Sequence, residues 1–144
     1  MFGTYSGYVQ VLARVLLGSL FIASGVGIVL GGSAAFAGYQ GMVESAGIPF
    51  AGLVAVLAVA LKIFGGLSLA AGFKSRYAAL GLAVFTFLTI VLFHGPSSWS
   101  DPASGYVNYL MALKNLSIIG GLLLIANNGA GAMAMKCNDT CKWC

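Results

Sequence analysis

The sequence predicts an all-α integral membrane protein, an antiparallel four-helix bundle with a short interfacial or re-entrant segment between the first two helices. Hydrophobic residues make up 60% of the 144 residues and only 7% are charged, whereas a soluble domain carries about 25% charged residues. Seven basic and three acidic side chains cannot cover the surface of a soluble protein of this length. The composition therefore excludes a soluble monomer, a disordered chain and a large domain outside the membrane.

Four continuous apolar runs are long enough for helices that cross a bilayer, which need about 20 residues each. They cover residues 9–30, 51–73, 77–94 and 106–126. Their continuity favours helices over the strands of a membrane barrel, which alternate in polarity over about 10 residues. A helix also satisfies its own backbone hydrogen bonds in lipid. We assign residues 1–136 to the bundle and residues 137–144 to a separate tail.

The basic residues near the ends of the spans predict the orientation of the bundle. Five of them lie on one side of a four-span arrangement: Arg14, Lys74, Arg76, Lys136 and Lys142. The other side carries Glu44 and Asp101 and has no Lys or Arg. Because Lys and Arg concentrate in cytoplasmic loops, we expect a multi-pass bacterial inner-membrane protein with both termini in the cytoplasm. In this arrangement Arg14 is a topology anchor.

The two outer connections differ in character. Residues 31–50 are mildly apolar and contain large side chains among Gly, Ser and Gln, which favours a short helix or re-entrant piece over the bundle; a plain ordered loop is the alternative. The loop at 95–105 is rich in turn-forming residues, and its Trp99 is expected at the lipid headgroups.

Glycine is unusually frequent, with 21 residues against a typical share of about 7%. Many lie inside the spans: Gly18, Gly25, Gly27, Gly65, Gly66, Gly72, Gly81, Gly120 and Gly121. Helices in lipid associate through small residues that let backbones approach closely. We therefore expect close helix packing at these positions, including a GxxxG pair at Gly27 and Gly31, with a hinge role as the alternative.

Five short motifs follow one another along the chain. They are Ser24-Gly25-Val26-Gly27, Gly47-Ile48-Pro49, the stretch from Gly65 to Arg76, Phe93-His94, and the stretch from Leu113 to Leu124. In this order, over about residues 10–133, the set resembles the DoxX family of small bacterial four-helix membrane proteins.

The resemblance implies a role beside membrane redox complexes, because the family is associated with the thiosulfate–quinone oxidoreductase system and with thiol oxidative stress. Family members usually carry Glu just before the Gly-Gly of the second span, where this chain has Lys62. A Glu there could pair with the Lys of the Lys-Asn motif, here Lys114. In this chain two like charges take the place of that ion pair.

Lys62 and Lys114 are candidate ligand-binding residues, because a charge at the bilayer centre costs about 2.5–3.5 kcal/mol. At about 1.5 Å per residue they lie roughly 16 and 12 Å below the outer ends of their spans, which is a similar depth. An anion, a quinone carbonyl or a lipid phosphate between them would accommodate both charges. A neutral form of one Lys, a carboxylate from a partner subunit, or snorkelling of each side chain are the alternatives.

Asn115 and His94 are the other candidate ligand-binding residues. Asn115 follows Lys114 directly, and His94 closes the third span at its outer end. A structural role is the alternative for both, with Asn115 and Asn108 as interhelical hydrogen-bonding residues. The chain contains one His, so a bis-His haem within the chain is excluded, and we expect no haem.

The tail carries three cysteines within eight residues: Cys137, Cys141 and Cys144. The last two form a Cys-x-x-Cys pair, which is typical of redox dithiols and zinc sites. Cysteines beside a membrane span are also acylation sites. A redox or metal role, acylation and no role remain three alternatives for the tail.

These observations lead to three hypotheses. In the first, the protein is an accessory or anchoring subunit of a larger, redox-linked membrane complex, with quinone or lipid at the paired lysines and no catalytic activity of its own. In the second it is a small quinone-linked oxidoreductase subunit that uses the tail thiols, and in the third a carrier of small solutes or anions. The expected partners are the lipid bilayer and other membrane subunits or further copies of the chain. No phosphate-binding loop is present, and the net charge of +4 comes from topology anchors, so nucleic-acid binding is not expected.

Overall fold

The computed structural model describes residues 6–129, 131 and 134, which contain five helices and no strand. The helices are α1 (Ser6–Leu30), α2 (Gly32–Ser45), α3 (Ala51–Ala71), α4 (Ser75–Phe93) and α5 (Gly105–Asn128). A short 3₁₀ turn, Pro96–Ser100, lies in the connection between α4 and α5. All helices except α2 are long and apolar enough to cross a membrane. The predicted all-α membrane four-helix bundle is confirmed.

Two residues with positive φ define the tight turn between α3 and α4. Gly72 has φ +77° and ends α3, and Lys74 has φ +44° just before α4 begins at Ser75. The left-handed conformation at Gly72 ends the helix two residues before the predicted boundary, because helices commonly stop at a glycine of this kind. The three-residue turn makes α3 and α4 antiparallel neighbours.

The segment between the first two spans is the short helix that its composition indicated. Val43 of α2 is buried against Ala51 and Ala55 at the start of α3, and Phe93 at the end of α4 packs beside them. This contact places α2 over the end of the bundle where α4 finishes.

Glycines bring α1 and α3 into direct backbone contact. A Cβ atom on Gly18 would lie 2.6 Å from the Gly66 carbonyl oxygen, and one on Gly66 would lie 2.8 Å from the Gly18 carbonyl oxygen. Gly25 lies equally close to Ile63 of α3. These contacts agree with the expected packing role of the glycines.

The expected GxxxG pair at Gly27 and Gly31 does not form a helix contact. A Cβ atom on Gly27 would meet nothing within 4 Å, and Gly31 lies against Ala35 and its own helix. Gly120 also faces open space. The expectation is wrong at these positions because small size alone does not say which side of a helix faces a neighbour.

The bundle core is built on Phe21, Leu69, Leu82 and Leu122, which are almost completely buried. Helix α1 packs chiefly on α3, and α4 packs chiefly on α5, so the bundle consists of two antiparallel pairs. Many large apolar side chains point outward, as is required of helices whose solvent is hydrocarbon.

Arg14 differs from the expected topology anchor. An anchor would extend toward water or headgroups, whereas the Arg14 side chain is 1% exposed. A Cβ atom on Gly72 would lie 2.0 Å from Nη1 of Arg14. The guanidinium therefore packs directly on the turn between α3 and α4.

The middle of α3 contains a π-helical segment, Leu61–Gly65, between the α-helical parts Ala51–Ala60 and Gly66–Ala71. A π segment holds one extra residue per turn and commonly occurs at functional sites. Lys62 lies in this segment.

Candidate functional site

All four of the predicted ligand-binding residues line one cavity in the half of the bundle that carries α2. The cavity has a volume of about 280 Å³ and is partly open. Its lining includes Lys62 from α3, His94 at the end of α4, and Lys114 and Asn115 from α5. The structure thus brings together residues that lie far apart in the sequence and on three different elements.

Lys62 is held by aromatic rings. Its Nζ lies 4.6 Å from the ring centroid of Tyr39 and 5.6 Å from that of Phe85. A cation over an aromatic face gains about 0.5–2 kcal/mol, with the larger values where water is excluded. The two rings therefore offset part of the cost of placing an ammonium group inside a span.

Helix α2 supplies the Tyr39 ring and not a carboxylate. Glu44 of the same helix is exposed, so the alternative in which Glu44 turns inward to Lys62 is not what the structure shows. Burial raises the pKa of Tyr39. Its phenol therefore stays neutral, and the ring keeps a hydroxyl that can donate a hydrogen bond.

Lys114 is more exposed than Lys62. Its Nζ donates to Sδ of Met111, 3.2 Å away on the same helix. A thioether is a weak acceptor, so this contact leaves most of the hydrogen-bonding capacity of the ammonium group unused. The cationic pocket is asymmetric, with Lys62 inside and Lys114 at the rim.

A chain of hydrogen bonds orients His94. Its Nδ1 lies 3.1 Å from Oδ1 of Asn108, and Nδ2 of Asn108 donates to Oγ of Ser104 over 3.3 Å. Ser104 in turn donates to Asp101. Because an amide oxygen only accepts, Nδ1 of His94 carries the proton, and a neutral ring then has Nε2 as its acceptor.

The loop between α4 and α5 contains the last residues of this hydrogen-bond chain, at the surface of the protein. The Ser104 hydroxyl and the Ala103 N–H hold the pKa of the exposed Asp101 carboxyl below its ordinary value. Trp99 donates from Nε1 to the carbonyl oxygen of His94 over 3.0 Å. Trp99 also meets Tyr109 edge to face, with ring centroids 5.3 Å apart. The loop therefore fixes the position of the imidazole.

A second cavity of about 250 Å³ adjoins the first and is almost entirely apolar. The two cavities have four lining residues in common: Tyr39, Phe85, Thr89 and Phe93. The second cavity extends between α2, α3 and α4 along side chains such as Leu57, Leu61 and Leu92. The first chamber, which contains the charged and polar side chains, and the apolar second chamber thus share one wall.

Four residues that line the first cavity were not predicted as site residues: Tyr39, Phe85, Thr86 and Thr89. Thr86, Thr89 and Phe93 have the i, i+3, i+7 spacing of one helix face, and this face leads to His94. The two threonine hydroxyls donate to carbonyl oxygens of their own helix, from Thr86 to Leu82 and from Thr89 to Thr86. The two threonines on this helix face were visible in the sequence and could have indicated the site. No sequence pattern indicated the contact of Tyr39 with Lys62.

The predicted redox or metal residues, Cys137, Cys141 and Cys144, lie outside the described residues. Within the described part of the chain, no group of three or more His, Cys, Asp or Glu side chains is placed to hold a metal ion.

Comparison with known proteins gives one family match and three relatives. A family model described as DoxX matches residues 9–95. The inner membrane protein YqjF of Escherichia coli is 42% identical over 132 residues, which is 92% of each chain. The E. coli inner membrane protein YphA is 29% identical over 134 residues, covering 93% of this chain and 92% of that protein. The yeast ER-derived vesicles protein ERV29 is 36% identical over 78 residues, covering 54% of this chain and 24% of that protein. No solved structure gives a significant match.

Proposed function

Since the chain belongs to the DoxX family and is a multi-pass protein of the inner membrane, we propose that it is an accessory or anchoring subunit of a larger, quinone-linked membrane complex. In this proposal the subunit has no catalytic activity of its own. It holds a lipid-soluble quinone at the cavity between Lys62 and Lys114.

The observation that carries the proposal is that the chamber with the hydrogen-bond donors adjoins an almost entirely apolar one. Lys62, Lys114 and Asn115 provide hydrogen-bond donors in the first chamber. A quinone head offers carbonyl oxygens, which are acceptors, and its tail is a hydrocarbon chain. The head fits the donors of the first chamber, and the tail fits the apolar lining of the second.

The aromatic wall suits a flat ring. Phe85 and Phe93 line both chambers, and aromatic rings attract one another in stacked or edge-to-face arrangements worth about 0.5–1.5 kcal/mol. His94 presents an acceptor to the hydroxyl that a reduced quinone carries. These residues bind and orient the ring, and the electron transfer belongs to the partner.

A quinone-retention measurement tests the site. We expect the purified protein to retain quinone in mild detergent, and Lys62→Met with Lys114→Met to weaken binding about tenfold or more, because a hydrogen bond from a charged donor is worth about 1.5–3 kcal/mol. Lys74→Met is the matched control, because it removes an exposed Lys from the turn at the other end of the bundle. Equal retention by the double variant and the control contradicts the proposed site.

Purification under native conditions tests the subunit role. We expect the chain to co-purify with larger membrane proteins from gentle detergent extracts of its own host. If the preparation contains only this chain and quinone is bound to it, the proposed quinone site still stands and the subunit role is contradicted.

A carrier of small anions is the second candidate, because one partly open cavity reaches both lysines. The buried core at Phe21, Leu82 and Leu122 closes the bundle next to this cavity, so transport would need the core to open. Uptake of an anion into proteoliposomes that is abolished by Lys62→Met favours the carrier. Absence of uptake, with quinone still bound, favours the subunit.

A further inference from the structure

The end of the bundle opposite the quinone cavity contains a second, separate polar cluster. A cavity of about 240 Å³ at this end is lined by Gln10 and Arg14 of α1 and by Asn128 and Gly129 at the end of α5. Arg14 is 1% exposed. A fully enclosed guanidinium inside a membrane protein is expensive and commonly marks a functional site.

A second guanidinium, that of Arg76, lies at the same end of the bundle, against Gly129. A Cβ atom on Gly129 would lie 3.0 Å from Nε and 3.2 Å from Nη2 of Arg76. Gly129 has φ +76° and lines the cavity with Arg14, so the Arg76 side chain reaches a residue of the cavity wall. A side chain at position 129 or at position 72 would occupy the space of a guanidinium.

Two polar groups at this end have no hydrogen-bond partner within the described part of the chain. They are Nε of Arg76 and Oγ of Ser75, and Ser75 is 0% exposed. Buried polar atoms are rarely left without a partner in native proteins. Each of these donors therefore has room for an acceptor from outside the described residues.

The charges of the chain indicate what kind of acceptor this is. Among the described residues the acidic side chains are Glu44 and Asp101, and both lie at the α2 end. Helix α4 begins at Ser75, so its free N–H groups and the positive end of its dipole also lie here. The positive end of this helix, together with the unpartnered donors of Ser75 and Arg76, therefore favours an anion.

We propose that Arg14, Ser75 and Arg76 form a binding site for the oxyanion of a phosphate group. The planar fork of Arg matches phosphate oxygens with paired hydrogen bonds, and the Ser75 hydroxyl donates a further one. If this end faces the cytoplasm, as the basic residues predict, anionic phospholipids lie next to it. The headgroup of such a lipid and a free phosphate share this chemistry.

Binding of two probes to the purified full-length chain tests the proposal and names the source of the phosphate. The probes are phosphatidylglycerol, in nanodiscs that otherwise contain phosphatidylcholine, and inorganic phosphate. Binding of phosphatidylglycerol without inorganic phosphate assigns the site to a lipid headgroup. Binding of inorganic phosphate assigns it to a soluble phosphate. Binding of neither probe overturns the proposal.

Variants locate the site within this end of the bundle. We expect Arg76→Gln to weaken binding of the probe about tenfold and Ser75→Ala to weaken it about threefold. Lys74→Gln is the matched control, since it removes one positive charge from the same turn but is exposed; its binding is expected to stay within about twofold of wild type. If Arg76→Gln and Lys74→Gln weaken binding of the probe equally, binding depends on general surface charge and the proposal is overturned. Arg76 is only partly buried, so its variant tests the site even if Arg14→Gln does not fold.

Discussion

Lys62 depends on aromatic rings for its place inside the bilayer. Its Nζ lies 4.6 Å from the Tyr39 ring and 5.6 Å from the Phe85 ring. Both rings also line the proposed quinone cavity. A change at either ring therefore acts on stability and on binding at once.

Replacing Tyr39 separates the contribution of the ring from that of the hydroxyl. We expect Tyr39→Leu to lower the free energy of unfolding by about 1 kcal/mol and to weaken quinone binding, because the cation–π contact is lost. Tyr39→Phe keeps the ring face and is expected to stay close to wild type in stability. Thermal unfolding in detergent measures the difference. If Tyr39→Leu unfolds at the same temperature as Tyr39→Phe, the aromatic ring is not what stabilises Lys62.

The residues of the site were predictable in different degrees. Lys62, Lys114 and His94 could be chosen from the sequence, because charged and titratable groups in apolar spans are rare and their positions along a helix give their depth. The contact of Tyr39 with Lys62 could not, since it depends on where α2 packs. The burial of Arg14 could not be predicted either. An Arg near the end of a span gives the same sequence pattern whether its side chain faces lipid headgroups or a neighbouring helix.

At the level of the helices, glycine packing between α1 and α3 sets the distance across the bundle. A Cβ atom on Gly66 would lie 2.8 Å from the Gly18 carbonyl oxygen and 2.9 Å from Cγ1 of Ile22. Backbone atoms cannot move aside as a flexible side chain can. The contact therefore tolerates no side chain.

We expect Gly66→Val to destabilise the protein by about 1–3 kcal/mol, the usual cost of overpacking. Gly120→Val is the control, because a Cβ atom on Gly120 would meet nothing within 4 Å and the variant is expected to remain as stable as wild type. Thermal unfolding of both variants in the same detergent makes the comparison. Equal melting temperatures for the two variants would contradict the close approach of α1 and α3.

The four long apolar helices were predictable from the sequence, because apolar length is a strong signal in membrane proteins. The π-helical segment at Leu61–Gly65 was not, since no local composition marks an inserted residue in a helix. The failed GxxxG pair at Gly27 and Gly31 has a related cause. Spacing gives the face of a helix, and only the packing of neighbours decides whether that face is covered.

For the whole molecule, the distribution of charge predicts one orientation in the membrane. The turn with Lys74 and Arg76 lies at one end of the bundle, and Glu44 and Asp101 lie at the other. Because basic loops stay in the cytoplasm, we expect the quinone cavity in the outer half of the bilayer. The phosphate site is then in the inner half.

Labelling of single cysteines tests this orientation. In a background with Cys137, Cys141 and Cys144 changed to Ser, we expect Ala103→Cys to react with a membrane-impermeant thiol reagent on spheroplasts. Lys74→Cys is expected to react only after the membrane is opened. Both positions are exposed, so access to the reagent depends on the side of the membrane. The reverse pattern would invert the proposed orientation.

The arrangement of the bundle as two antiparallel pairs has a consequence for biogenesis. Lys62 and Tyr39 belong to the first half of the chain, whereas His94, Lys114 and Asn115 belong to the second half. During synthesis the early hairpin can enter the bilayer and associate before the late hairpin exists. The proposed quinone cavity is then completed only when the two hairpins dock. A molecule bound there would stabilise the docked state and so favour the final step of assembly.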